Sequence, residues 1–456
     1  MNKHVNALQS LIVAILFLCV SQTLVASSVQ QWIESDSITA IGSRIERDFP
    51  YTKAEAAEQM KQLYPGITDA FLDSCYAAGY IETLQMPDGS VRVYRKSPRN
   101  LGLICPRLRD EKLKWTGRGS KAAYARRATA AYTIKQSVGD GTPVNSQRVT
   151  ITFTLTVPYK EELAGDSIRA WMPYPLETSR QQNIQLLKTS QPDYYISSGN
   201  AEESVHRTVY MSGLMARGGG DVTFSYTFSY DVSSQYYSPE YIMANKKAYN
   251  KDSELYQRFT KPEGRHIVEM KELARQIVGN ETDPYKQSEL VFDYINASFP
   301  WAGAREYSTL ECIPQYVVDH GYGDCGQVSL LYISLMRSLG VPARWESGWM
   351  IHPGEKNYHD WTEVYFEGIG WVPVDTSFGR LSADPDEVVT LFHSTGQDNY
   401  RFASNCGIGG VLSPAKKFVR SETVDLQAGE VETSKGNLFY PLWDSTLTIE
   451  SIIPNN

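Results

Sequence analysis

The stretch between Gly321 and Gly379 restricts the possible folds more than any other part of this 456-residue sequence. Apolar residues recur in it at helical spacing: Val328, Leu331, Leu335 and Leu339. Gly340 can end that helix in the left-handed conformation, and Pro342 prevents its continuation. Two strand-like runs follow, DWTEVYFE and WVPVD, separated by a glycine-containing turn at 368–370. A helix followed by an antiparallel hairpin predicts an α+β unit.

Cys325 lies at or near the N-terminus of the predicted helix. Free N–H groups and the positive end of the helix dipole stabilise a thiolate, so this position predicts a lowered pKa for the thiol. Gly321, Gly323 and Gly326 leave room for a substrate backbone. The amides of the first turn, including that of Cys325, could donate to an oxyanion. The segment therefore predicts a nucleophilic cysteine.

A nucleophile needs a base, and the base needs an orienting group. His359 opens the first strand-like run and Asp375 closes the second, so a hairpin brings both to one end. A three-residue loop would pair Glu367 with Trp371 and put Asp375 opposite Glu363, about 13 Å short of His359 at ~3.4 Å per residue. Contact between the two therefore requires twist, a bulge or an early departure of the chain.

Three blocks, G-D-C-x-x-x-S-x-L, H-x-W-x-E-V-Y and G-W-V-P-V-D-T, resemble the transglutaminase-like superfamily, whose core has a papain-like α+β fold. The resemblance covers about Asp283 to Gly379. It implies Cys325 as nucleophile, His359 as general base and acid, and Asp375 as the group that holds the imidazole. It also makes Trp301, in SFPWAG, the candidate for an aromatic residue that stabilises the oxyanion. It implies no cofactor.

Two other interpretations of these residues remain. In the first, Cys325 is a buried thiol, His359 a surface histidine and Asp375 a turn residue, and none of them is catalytic. Against it, all three stand at the spacing of the family. His352, His359 and Asp360 could together suit zinc. They lie in a Gly/Pro-containing loop without a familiar ligand spacing, so we predict no metal site.

The region before this core alternates apolar and polar residues with period two. One apolar row is Val149, Ile151, Phe153, Leu155 and Val157, and another is Val222, Phe224, Tyr226, Phe228, Tyr230 and Val232. Further strand candidates at 168–172 and 205–211 predict an antiparallel β-sandwich over 146–245. The predicted fold class is therefore α+β, with a papain-like transglutaminase core preceded by the sandwich and a small N-terminal α+β unit.

The predicted division of the chain has five parts: signal peptide 1–26, N-terminal α+β region 27–145, sandwich 146–245, catalytic domain 246–400 and β-rich C-terminal segment 401–456. In the N-terminal region, Thr52 and Glu55 form a capping-box pattern before a helix. Basic residues scattered over 95–118 suggest a solvated face. The net charge of −8 argues against a nucleic-acid partner.

The first residues predict export. Lys3 precedes the apolar run LIVAILFLCV at 11–20, and cleavage is expected near Ala26. The run is about half the ~20 residues that span a bilayer, so no transmembrane segment is predicted. Five cysteines remain after cleavage, which leaves at least one thiol free. With Cys325 as that thiol, grouping by region favours disulfides between Cys75 and Cys105 and between Cys312 and Cys406.

These features predict an exported enzyme that carries out cysteine-dependent acyl transfer on an amide or peptide bond of a protein, peptide or glycopeptide. Hydrolysis is the expected outcome, since nothing in the sequence selects an amine acceptor over water. One alternative is a protein-glutamine transglutaminase. The other is a non-catalytic module that binds a surface partner, because related folds do host inactive members.

Overall fold

A computed structural model describes residues 41–109, 121–198, 205–381 and 387–455, so the predicted signal peptide lies outside the described residues. The described chain divides into two compact units. Unit 1 contains residues 41–109 together with Gly303–Thr309, and unit 2 contains the other described residues. Across the described ranges, every helix is too short or too polar to cross a membrane.

Unit 1 is a small α+β unit, as predicted. Its elements are α1 Lys53–Leu63, α2 Asp69–Ala77, β1 Thr83–Gln85, β2 Val91–Val93 and α3 Ser97–Ile104. The predicted capping box is confirmed, because Thr52 and Glu55 exchange side-chain to backbone hydrogen bonds at the start of α1. A core that includes Met60, Leu72 and Leu101 holds the helices together.

Unit 2 contains three groups of elements. The first is α4 Lys121–Gln136, β3 Val144–Val157, β4 Ser167–Pro173, β5 Gln181–Thr189, β6 Tyr194–Ile196, β7 Thr208–Leu214 and β8 Val222–Tyr236. The second is α5 Pro239–Asn245, α6 Glu254–Phe259, α7 Lys271–Val278, α8 Pro284–Ser298, α9 Ile313–His320, α10 Cys325–Ser338, β9 Ala343–His352, β10 Glu355–Phe366 and β11 Gly370–Val374. The third is α11 Glu387–Thr390, β12 Gly396–Gln397, β13 Arg401–Asn405, β14 Glu430–Glu432, β15 Asn437–Leu438 and β16 Asp444–Pro454.

The structure contains an antiparallel sandwich, as the predicted fold class requires, but its strands are not confined to residues 146–245. One sheet has the order β12-β8-β3-β16 with β5 also on β8, and the other has the order β15-β14-β4-β7-β6. Alternate residues of β3 and β8 are buried, as the period-two pattern requires. The outward threonines bond across the strands, as Thr152 and Thr227 do. Strands from the C-terminal segment pair with both sheets, β14 on β4 and β16 on β3.

A third antiparallel sheet, with the order β11-β10-β9-β13, carries His359 on β10 and leads into Asp375 directly after β11. Helix α10 packs against β9 and β10 and is buried over almost its whole length. Trp349, Ile351 and Phe402 of this sheet join the hydrophobic core of the sandwich. The third sheet and the sandwich therefore share one continuous core, which fixes the strands on which the candidate site is built.

The two predicted disulfides are not formed in the structure. All five described cysteines are free thiols. Cys75 and Cys105 are buried in the core of unit 1, where burial and the neighbouring Cys105 raise the pKa of Cys75 to about 11. Cys312 precedes α9, whereas Cys406 follows β13 and lines a cavity of about 330 Å³ with Arg344 and Glu363. Grouping by region correctly placed Cys75 beside Cys105, although the two are free thiols, but it failed for Cys312 and Cys406, which have different surroundings.

Candidate active site

Cys325 is the first residue of α10, as its sequence position predicted. Asp324 caps the helix, because its side chain accepts from the Gln327 amide while the Gln327 side chain accepts from the Asp324 amide. Cys325 is half-buried as a residue, and its thiol donates a hydrogen bond to Asp360 Oδ2 at 3.2 Å. The nucleophile candidate thus stands at a well-defined helix start beside a carboxylate of β10.

The expected lowering of the Cys325 pKa is wrong for this geometry. Burial raises the pKa of the thiol well above its ordinary value, and the charges of Asp360 and Asp324 raise it further. The helix dipole favours the thiolate by a modest amount, whereas two carboxylates and burial oppose it. The structure therefore holds Cys325 as a neutral thiol.

His359 and Asp375 are brought together, with Nε2 of the imidazole 2.7 Å from Asp375 Oδ2. The hairpin register makes this possible, because Phe366 pairs with Gly370 and the last pair is Thr362 with Val374. The predicted loop was displaced, since residues 367–369 form the turn and Gly370 already belongs to β11. Asp375 therefore lies two residues closer to His359 than expected, and the chain leaves the sheet there.

Both side chains of this pair are buried. Asp375 Oδ1 accepts from the amides of Ser377 and Phe378 at 3.1 and 2.8 Å. Burial alone would raise the pKa of Asp375, but the charges of His359 and Arg401 lower it strongly. Asp375 is therefore ionised and accepts the proton of Nε2, which leaves Nδ1 of His359 as the basic nitrogen.

The His359 imidazole is itself held in a neutral state. Burial lowers its pKa, Asp375 raises it, and Arg401 lowers it again, with a net shift downward. The ring stacks on Phe378 with centroids 4.2 Å apart. A neutral, oriented imidazole is the form that can accept a proton from a nucleophile.

Among the described residues, Cys325 and His359 share no hydrogen bond. The thiol donates to Asp360 instead, and His359 pairs with Asp375. Sequence reasoning considered Asp360 only as a metal ligand and missed this contact. The available signal was its position, directly after His359 on the strand that the helix start must approach.

Asp360 is supported by residues from the C-terminal segment. Gln427 Nε2 donates to Asp360 Oδ1 at 2.6 Å and to the His359 carbonyl at 3.1 Å. Burial raises the pKa of Asp360 well above its usual range, and the charges of Asp425 and Asp324 add to this shift. Burial likewise raises the pKa of Asp425 to about 6. The Cys325 thiol thus lies near a small group of buried carboxyl groups.

Trp301 lies beside the loop that leads to Cys325. Residues 300–302 bridge to Gly323, with the Ala302 amide donating to the Gly323 carbonyl at 3.0 Å. The Trp301 side chain is 43% exposed, so it is not a core residue. Its position next to the nucleophile loop is compatible with a contact to substrate.

The three residues of the alternative zinc site have separate partners. His352 faces Asp398, His359 faces Asp375, and Asp360 accepts from Cys325. Among the described residues, no group of three or more His, Cys, Asp or Glu side chains could hold a metal ion.

Cys325 at the start of α10 thus lies beside β10, which carries His359, and Asp375, directly after β11, contacts that histidine. Residues 271–376 match the model of the transglutaminase-like superfamily. The chain therefore contains a transglutaminase-like core, as the three sequence blocks implied.

Two curated relatives match parts of this chain. An uncharacterised protein of Haemophilus influenzae is 27% identical over 135 residues, which cover 24% of this chain and 36% of that protein. The uncharacterised protein YebA of Bacillus subtilis is 32% identical over 81 residues, which cover 15% of this chain and 11% of YebA. The chain thus matches about a third and a ninth of the length of these relatives.

Two solved structures match parts of this chain. A candidate cysteine protease from Cytophaga hutchinsonii is 16% identical with a TM-score of 0.42, covering 68% of this chain and 92% of the other. The periplasmic domain of TgpA from Pseudomonas aeruginosa is 13% identical with a TM-score of 0.25, covering 55% and 91%. Both are distant from this chain.

Proposed function

We propose that this protein is an exported, cysteine-dependent acyl-transfer enzyme that hydrolyses an amide or peptide bond in a protein, peptide or glycopeptide. The observation that carries the proposal is the 2.7 Å contact between His359 and Asp375. The residue after His359 on β10 is Asp360, which accepts the hydrogen bond of the Cys325 thiol. Export rests on the apolar run at 11–20, and cleavage is expected near Ala26.

In the proposed reaction, Nδ1 of His359 accepts the Cys325 proton as Sγ attacks the carbonyl carbon. The new C–S bond forms and the carbonyl oxygen becomes an oxyanion, which the first-turn amides of α10 and the indole N–H of Trp301 can stabilise. The imidazolium then protonates the leaving nitrogen as the C–N bond breaks. Neutral His359 next takes a proton from water as the water oxygen attacks the thioester carbon. The C–S bond then breaks to release the acid, and the imidazolium returns its proton to Cys325 Sγ.

The contact between Cys325 and Asp360 belongs to the resting state in this scheme. The thiol cannot donate to His359 while it donates to Asp360, so the reaction begins when the thiol leaves that carboxyl group. A neutral thiol is poorly nucleophilic, and Cys325 becomes reactive when it gives its proton to the imidazole of His359.

Hydrolysis and transamidation are separated by the fate of the acyl group. The enzyme is incubated with a glutamine-containing protein and a labelled primary amine, and ammonia release, free acid and incorporated label are measured. We expect acid formation to exceed amine incorporation, with both lost in Cys325→Ser and retained in Cys406→Ser. Cys325-dependent incorporation faster than acid release would assign transamidation instead.

One observation favours the non-catalytic alternative: the Cys325 thiol donates its hydrogen bond to Asp360 instead of His359. A binding module would also be expected to show no difference between the wild type and Cys325→Ser in any acyl-transfer assay. Such a result, across several peptide and glycopeptide substrates, would contradict the proposed enzymatic activity and would favour a surface-binding function.

A further inference from the structure

Arg401 enters the site from outside the family-matched segment, as the first residue of β13. Its side chain is 2% exposed, and its Nη2 lies 2.9 Å from Asp375 Oδ2. That oxygen is the one that also receives His359 Nε2. One carboxylate oxygen therefore links a histidine and an arginine that come from different strands.

A second carboxylate and two aromatic rings hold the guanidinium. Asp398 Oδ2 lies 3.2 Å from Arg401 Nη2, and Asp398 Oδ1 lies 3.3 Å from His352 Nε2. The guanidinium lies over the ring of Phe378 at 4.5 Å. Phe378 also stacks on His359, so the same ring contacts the guanidinium and the imidazole.

Structural stability does not explain this placement well. Arg401 Nε and Nη1 are buried without a hydrogen-bond partner among the described residues. Burying unsatisfied donors of a charged group costs free energy that a well-packed apolar side chain would avoid. The contact with Asp375 places the arginine where it can act on the proposed base.

We propose that Arg401 is a positioning residue of the Cys325–His359–Asp375 triad: it fixes the Asp375 carboxylate under the imidazole and supplies a permanent positive charge beside it. The inference rests on the proposed function, since it describes how the base of that reaction is prepared. It also assigns Asp398 as the counter-charge that moderates Arg401.

The sign of the effect follows from the groups around His359. A positive neighbour disfavours the imidazolium, and a negative neighbour favours it. Removing Arg401 should therefore raise the pKa of His359, and removing Asp398 should lower it, because Arg401 would then be less neutralised. The charged and titratable groups around the imidazole and its Phe378 support are Asp375, Arg401, His352, His393, Asp398 and the Arg126–Glu355 pair.

The experiment measures His359 in the full-length mature protein by NMR titration of ¹³C-labelled histidine, with the His359 signal assigned by its loss in His359→Gln. The double variant Arg401→Gln/Asp398→Asn removes both charges, so Asp398 is not left as a buried charge without its partner. Asp375 loses Arg401 but keeps His359 and the amides of Ser377 and Phe378. We expect the His359 midpoint of the double variant to rise by about one pH unit. The acid limb of Cys325 alkylation should move in the same direction by the same amount.

Two single variants complete the test. Arg401→Lys keeps the charge and should leave the midpoint near that of the wild type. Asp398→Asn should move it downward. If Arg401 had only a structural role, the variants would lose stability or His359 signal intensity. The His359 midpoint would then not move up in the double variant and down in Asp398→Asn.

An unchanged midpoint in the double variant would overturn the inference, and so would a shift in Arg401→Lys as large as that in the double variant. If the double variant does not fold, an upward or absent shift in Asp398→Asn overturns it as well. A protein in which His359 shifts as expected but Cys325 is unreactive at every pH would retain the positioning role and lose the proposed function.

Discussion

At the scale of single residues, Asp360 is the hydrogen-bond partner of the Cys325 thiol, at 3.2 Å. Asp360→Asn removes a carboxyl group whose ionised form raises the thiol pKa, and it supplies an amide donor instead of an acceptor. A lower thiol pKa increases the thiolate fraction at neutral pH, by about tenfold for each unit that the pKa falls. We expect alkylation of Cys325 at pH 7 to be about tenfold faster in Asp360→Asn.

The control for this prediction is the double variant Asp360→Asn/Cys325→Ser, which should lose the fast-labelled peptide. Slower labelling of Cys325 in Asp360→Asn than in the wild type would show that the carboxylate activates the thiol and does not restrain it.

Single residues also show what sequence can and cannot predict about this site. Cys325, His359 and Asp375 were selected from motif spacing, and the structure joins the second and third of these directly. Asp360, Arg401 and Asp425 were not, because their contacts depend on tertiary packing between distant segments. No local pattern reports that β13 or the segment near Asp425 will approach the hairpin.

At the scale of elements, the close approach of β13 to β9 determines where Arg401 lies. Gly348 of β9 pairs with Ala403, and a Cβ at position 348 would lie 1.9 Å from the Phe402 carbonyl oxygen. The Phe402 carbonyl oxygen belongs to the backbone, so it cannot move away as the end of a flexible side chain could. We expect Gly348→Ala to lower the free energy of unfolding by about 1–3 kcal/mol in urea denaturation.

The matched control is Gly220→Ala, where a Cβ would meet nothing within 4 Å. It should change stability by less than about 0.5 kcal/mol. Equal stability of the two variants would show that the β9–β13 pairing is looser than the structure indicates.

The hairpin illustrates how far element prediction extends. Its strands and its turn region were correctly predicted, but the register was wrong by two residues because Gly370 joins β11 instead of the loop. Strand patterns fix which residues share a face, whereas the register depends on turn conformation. That difference decided whether Asp375 could reach His359.

At the scale of the whole molecule, His206 joins the start of β7 to the segment that follows β13. Its Nδ1 lies 2.8 Å from Asn405 Oδ1, and burial, followed by the charge of Arg420, lowers its pKa to about 3. The unfolded state therefore takes up a proton near pH 6.5 while the folded state does not. The stability contributed by neutral His206 is present above that pH and is lost as the pH falls toward 3.

We expect the free energy of unfolding to depend less steeply on pH in His206→Gln. Between pH 6 and 4, the difference in slope should be about 1.4 kcal/mol per pH unit, measured by denaturant titrations at each pH. Parallel pH profiles for the wild type and the variant would contradict a buried neutral histidine at this position.

The organisation of the whole molecule was predictable only in part. Alternating residues in β3 and β8 correctly predicted the sandwich, since half-buried strands must have period two. The pairing of β16 with β3 across the length of the chain could not be predicted, because sequence distance carries no information about which edge a late strand will join.

The central claim is that Cys325 is a nucleophile assisted by His359. The most direct measurement treats the native mature protein with limiting thiol-directed electrophile near neutral pH and quantifies each modified cysteine by peptide mapping. We predict that Cys325 is modified faster than Cys75, Cys105, Cys312 and Cys406, and that His359→Ala slows it. Equal modification of all five cysteines, or no effect of His359→Ala, would contradict the account.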